Sequence, residues 1–99
     1  VNLVNTIKRV EIVIPAIELK PVLKRLEKFG IKKYSIIRNV VGRGEFGEST
    51  DDLDDQLSSV YILMTCLIGE EEPLYLELQP ILEKFGGMFL VSDTVGYRY

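Results

Sequence analysis

The chain has no histidine, no tryptophan and a single cysteine, and its charge is not strongly of either sign. Each shortage removes a class of explanation. Without histidine there is no general base that titrates near neutrality, no imidazole metal ligand and no histidine-dependent triad. The hydroxyls of Ser49, Ser58, Ser59 and Thr65 therefore have no imidazole to activate them. Cys66 cannot close an intrachain disulfide and lies within an apolar run, where a thiol behaves as a small hydrophobe; a reducing, intracellular setting suits it. The longest apolar run, 60–68, is less than half the roughly 20 residues that a membrane-spanning helix needs, and the N-terminus has no signal-peptide layout. Twelve basic against fifteen acidic residues give a net charge of −3, so no overall positive field points to nucleic acid or an anionic membrane surface. A soluble cytoplasmic protein is expected, membrane-associated only through a partner.

What is present is enough for one core. Ninety-nine residues, 46% hydrophobic and 27% charged, make a single domain over 1–99. Residues 7–14 alternate as a strand, with Val10, Ile12 and Ile14 on one side and Arg9, Glu11 and Val13 on the other; Pro15 ends it. From 18 to 29, Leu19, Val22, Leu23, Leu26 and Phe29 fall at helical spacing, Pro21 sits in the first turn, and Gly30 closes the helix. Residues 34–41 form a second strand, with Tyr34, Ile36, Arg38 and Val40 on one face and Ser35, Ile37, Asn39 and Val41 on the other. The tract 45–56 holds six acids and no base and is expected to be a solvated loop.

Residues 60–68 read as a third strand, apolar on both faces. A second helix starts near Pro73, buries Leu74, Leu78, Ile81, Leu82 and Phe85, and turns Pro73, Glu77, Pro80 and Lys84 to solvent before Gly86-Gly87 stop it. A short strand from Met88 to about Val91 and a tail over 94–99 complete the chain. The two helices echo each other, Glu18-Leu19-Lys20-Pro21-Val22-Leu23 against Glu77-Leu78-Gln79-Pro80-Ile81-Leu82, as amphipathic helices ending at glycine also do by chance. The βαββαβ order is the ferredoxin-like split motif of the α+β class: a four-stranded antiparallel sheet with both helices on one face. Two helices cover only one face, so the second apolar face of strand three implies a homo-oligomer closed around an axis.

Gly42-Arg43-Gly44 at the end of strand two is the sharpest local feature. Glycines let backbone N–H groups approach an anion, and a guanidinium matches phosphate or carboxylate geometry, although a glycine pair after a strand is also an ordinary turn. Gly86-Gly87 is a weaker counterpart, since a helix C-cap accounts for Gly86. Glu45, Glu48, Asp51, Asp52, Asp54 and Asp55 could hold a hard cation, but no EF-hand spacing is present, and the tract reads instead as a docking loop. Without those six acids the body carries nine acids against twelve bases, about +3. Half of those bases, Lys20, Lys24, Arg25, Lys28, Lys32 and Lys33, lie on or just after helix one.

The run Lys28-Phe29-Gly30-Ile31-Lys32-Lys33-Tyr34-Ser35-Ile36-Ile37 leading to Val41-Gly42-Arg43-Gly44, followed by a long loop and a second strand–helix–strand unit, resembles the PII signalling superfamily from about residue 7 to 91. The resemblance implies a non-enzymatic homotrimer that binds an adenine nucleotide or small anion between subunits, with no obligatory cofactor, no metal and no nucleic-acid partner. It further implies a loop that controls a membrane transporter or metabolic enzyme. By position, Gly42, Arg43 and Gly44 would form the phosphate-facing base of the T-loop, Gly86 and Gly87 the B-loop, and Arg98 the C-terminal cation that closes over the nucleotide. The tract 45–56 lacks the tyrosine that some members modify, Glu45 stands where a glutamine is expected, and the region after Phe85 lacks the family's lysine. These departures fit the PII-like branches, including those associated with bicarbonate uptake. The alternative is a protein like the trimeric divalent-cation tolerance proteins, with the same topology. A small ferredoxin-like enzyme ranks last, for want of a paired acid and base.

Overall fold

The computed structural model describes residues 2–44, 47–49 and 58–98. A short strand β1 (Asn2–Val4) leads into the nine-residue β2 (Ile7–Pro15). Alternation in β2 is strict: Val10, Ile12 and Ile14 are buried, whereas Arg9, Glu11 and Val13 face the other way. One 3-10 turn (Ala16–Glu18) then feeds α1 (Leu19–Phe29). Helix α1 buries Val22 and Leu26 fully and ends in a Schellman motif. Gly30 adopts φ 109°, its N–H reaches the Glu27 and Leu26 carbonyls, and the Ile31 N–H also reaches Leu26 O at 2.9 Å.

Strand β3 spans Ser35–Val40, one residue shorter at each end than the sequence pattern suggests. Its alternation fails near the end because Ile37 pairs with Tyr61 but Val40 with Ser59, so three steps on β3 match two on its neighbour. Asn39 sits at φ 59° in this bulge, a conformation that asparagine tolerates better than most side chains. The extra residue turns Val40 to the same face as Ile37, not to that of Ile36. After β3 the chain forms a two-stranded ribbon, β4 (Gly42–Gly44) with β5 (Gly47–Ser49). The glycines therefore lie in a strand and not in a turn, and residues 47–49 belong to a strand and not to a loop.

Strand β6 (Ser59–Leu67) is followed by α2 (Glu71–Phe85), β7 (Met88–Asp93) and β8 (Gly96–Arg98). In α2 the buried stripe is Leu74, Leu78 and Ile81, with Leu82 half-buried; Phe85 is exposed, contrary to its place in the apolar pattern. Glu77 also departs from the solvent face. Its carbonyl accepts a hydrogen bond from Arg25 Nη1 at 3.0 Å and its carboxylate lies 3.9 Å from Lys28 Nζ, which places it at the seam with α1. Pro80 remains exposed inside the helix, as its position predicts.

The main sheet has the antiparallel order β3-β6-β2-β7, the ferredoxin-like arrangement expected from βαββαβ. Both helices lie on the face that carries Val10, Ile12, Ile14, Val60, Ile62, Met64 and Cys66, and with them enclose the core. Each fully buried Ile or Leu there contributes about 1.5–3 kcal/mol. The tail is not irregular: β8 pairs with β1, Asn2 opposite Arg98 and Val4 opposite Gly96.

Candidate functional site

Antiparallel register decides which candidate residues can meet. β3 ends, β6 begins, β2 ends and β7 begins at one end of the sheet, because Val40 pairs with Ser59, Ser59 with Pro15, and Val13 with Met88. Gly42-Arg43-Gly44 leaves that end from one edge of the sheet, and Gly86-Gly87 enters it at the other. Two strands lie between them, so at the usual strand spacing the two glycine elements stand about 14 Å apart. They share an end of the sheet but not a pocket within one chain.

Arg98 lies elsewhere. β7 runs from Met88 opposite Val13 to Asp93 opposite Lys8, so the β8 strand that follows is at the far end of the sheet. A Cβ on Gly96 would lie 3.4 Å from Ile7 Cδ1, which confirms that position. Five residue steps along β2, from Lys8 to Val13, separate the partners of Asp93 and Met88, about 17 Å. Within a subunit Arg98 therefore cannot close over a ligand held at Gly42 or Gly87. The side chains of Arg43, Glu48 and Arg98, and the whole of Glu45, Asp51, Asp52, Asp54 and Asp55, lie outside the described residues.

Gly87 is tightly constrained. It adopts φ 148°, and a Cβ there would approach Val13 O to 2.7 Å and Leu82 Cδ2 to 2.9 Å. Gly86 (φ 81°) is not the left-handed helix cap that its position suggests, although its N–H does bond Leu82 O at 3.0 Å. Beside this pair a shallow open groove is lined by Tyr75, Leu82, Glu83, Gly87, Met88 and Phe89. Tyr75 and Phe89 meet edge-to-face at 5.3 Å. Half-buried aromatic walls beside bare backbone can take a planar ring, and Glu83, which accepts from Gln79 Nε2 at 2.7 Å, adds an acceptor at the rim. Tyr75 and Phe89 escaped the sequence reading because each looks like ordinary apolar filling; Phe89, two residues after Gly87, was the available signal.

Among the described residues, other titratable side chains have values displaced by their surroundings. Burial pushes the Cys66 thiol up, which makes it inert. A hydrogen bond from Lys8 holds Asp93 below its ordinary value, and the same contact raises Lys8. Backbone N–H groups of Glu71 itself and Gly69 lower the Glu71 carboxyl. Among the described residues no three His, Cys, Asp or Glu side chains cluster as a metal site, and no helix is long and apolar enough to cross a membrane.

The opposite face of the sheet is open and apolar. Leu63, Leu67, Ile37, Met88 and Leu90 are exposed there, with Tyr61 and Val13 half-buried. Strand β6 thus has one face packed within the chain and one that the other described residues leave bare.

The family model of the nitrogen regulatory protein P-II matches residues 7–98. No curated protein sequence matches. Among solved structures, CPII, a nitrogen regulatory PII-like protein from Thiomonas intermedia K12 bound to ADP and bicarbonate, superposes with a TM-score of 0.85 at 26% identity, over 98% of this chain and 93% of that one. The same protein bound to ADP, AMP and bicarbonate gives 0.86 at 24% identity, over 98% and 92%. A PII-like signalling protein from Thermus thermophilus shares the fold at a TM-score of 0.79 and 19% identity, over 99% and 95%.

Proposed function

This chain belongs to the nitrogen regulatory protein P-II family, and on that premise we propose that it is a non-enzymatic, trimeric signal-transduction regulator that senses an adenine nucleotide together with a small anion. The family match over residues 7–98 carries the reading, and ADP, AMP and bicarbonate are bound by the similar CPII. Gly42, Arg43 and Gly44 form the phosphate-facing loop base, and Gly86 and Gly87 bring bare backbone to the ligand beside the Tyr75–Phe89 groove. Arg98, at the far end of its own sheet, serves the site of a neighbouring copy. Each ligand site is then assembled from more than one chain, a reading supported by the separation of the two glycine elements across the sheet. The acidic tract 45–56, with Glu45, Glu48, Asp51, Asp52, Asp54 and Asp55, engages a transporter or metabolic enzyme in the cytoplasm. The match to P-II displaces the divalent-cation tolerance alternative.

Calorimetric titration with ADP, AMP, ATP, cyclic AMP and bicarbonate tests the proposal. Binding of at least one adenine nucleotide is expected. Arg43→Ala should weaken it about 10- to 100-fold, the equivalent of one charged hydrogen bond of about 1.5–3 kcal/mol. A folded trimer that binds none of these ligands overturns the sensor reading.

A further inference from the structure

The open face of the sheet carries two charged residues, Arg9 and Glu11, among apolar residues and the hydroxyls of Ser35, Thr65 and Ser92. Directly opposed residues share a face, so Glu11 lies between Leu63 and Leu90, in the middle of the patch, with Tyr61, Val13 and Met88 forming the next row. Arg9 lies between Thr65 and Ser92 in the row on the other side. Among the described residues Glu11 accepts one side-chain hydrogen bond, from the Tyr61 hydroxyl at 2.9 Å. Arg9 Nε donates to Ser92 Oγ at 3.0 Å and stays 3.9 Å from Glu11 Oε1, beyond hydrogen-bond reach. Among the described residues, the terminal guanidinium nitrogens of Arg9 have no hydrogen bond. A carboxylate with spare lone pairs and a guanidinium fork with spare donors therefore stand side by side, and their side chains are 26% and 48% exposed.

Covering this face with apolar groups alone would strip water from both charges and replace it with nothing. A partner of one charge sign would satisfy one of them and repel the other. A second copy of the chain carries both signs in the same spacing, and in a rotationally closed ring one residue of each copy meets a different residue of the next. We propose that Arg9 and Glu11 are the polar key of the interface between copies, Arg9 of each subunit donating to Glu11 of the next; the inference rests on the trimer proposed above. The surrounding Leu63, Leu90 and Met88 supply the burial, while the charged pair sets register and excludes mismatched copies.

Light scattering on the full chain and on R9E, E11R and R9E/E11R tests this, with far-UV circular dichroism as the check on folding. The expected result is a trimer for the parent chain, association weakened roughly tenfold or more in each single variant, and recovery in the double variant. R9Q and E11Q replace any charge-reversed variant that does not fold, and each should also weaken association. A monomeric parent chain overturns the assembly itself. A trimeric parent whose single variants stay equally trimeric overturns the polar key alone, and single variants that dissociate without recovery in the double variant overturn the pairing.

Discussion

Strand β6 shows two faces of similar composition with opposite fates. Val60, Ile62, Met64 and Cys66 are at most 4% exposed under the two helices, whereas Leu63 and Leu67 on the other face are 36% and 53% exposed. Both sets are apolar enough for a core, so residue type does not separate them. The helices do, because βαββαβ connections deliver both helices to one side of the sheet. The helix-covered face is completed by the chain itself and determines whether the subunit folds. The open face adds an arginine and a glutamate to its apolar residues and suits a second copy.

The comparison can be broken by paired truncations. Ile62→Ala removes fully buried volume and should cost about 2–5 kcal/mol in urea unfolding at every protein concentration. Leu63→Ala, next to it in sequence, should cost well under that in dilute solution and show its effect only where copies associate. Equal and concentration-independent losses at the two positions would remove the distinction between the faces.

Gly87→Ala probes the corner where the covered face meets the proposed ligand site. The new Cβ would sit 2.7 Å from Val13 O at φ 148°, so a loss of about 1–3 kcal/mol is expected in the same assay. Wild-type stability would show that the backbone there is free to move.

The smallest effect is in the pH dependence. Asp93 and Glu71, on the rim of the helix-covered side, have lowered folded values. Their contribution is present above the ordinary carboxylate range of about 4 and is lost as pH falls through the folded values. Tyr61, on the open face, has a raised value because its hydroxyl donates to Glu11. Its contribution is present below the ordinary tyrosine value near 10 and is lost as pH rises through the folded one. Stability across pH should therefore be level near neutrality, and Tyr61→Phe should lower that level and remove the alkaline fall.

Much of this architecture is legible in the sequence. The alternation in β2, the helical spacing of Leu19, Val22, Leu23, Leu26 and Phe29, and the stop at Gly30 are local patterns, and local patterns predict local structure. The family resemblance carried by the run 28–44 is confirmed by the match over 7–98. What escaped depends on distant pairing. The β3 bulge that turns Val40 over arises from pairing with β6, and the β1–β8 ribbon joins three-residue strands from opposite ends of the chain, too short to show a period. Glu77 reads as a solvent residue on an isolated helix and becomes a seam residue only when α1 supplies Arg25 and Lys28.

The sequence by itself determined the ferredoxin-like βαββαβ order, the absence of histidine chemistry, and the division of charge between a body near +3 and an acidic tract near −6. These are properties of composition and short-range order, written residue by residue. Only the tertiary structure decided that the two glycine elements share one end of the sheet while Arg98 lies at the other, and that Arg9 and Glu11 stand together on a bare apolar face. Register is a relation between strands, and no single strand contains it.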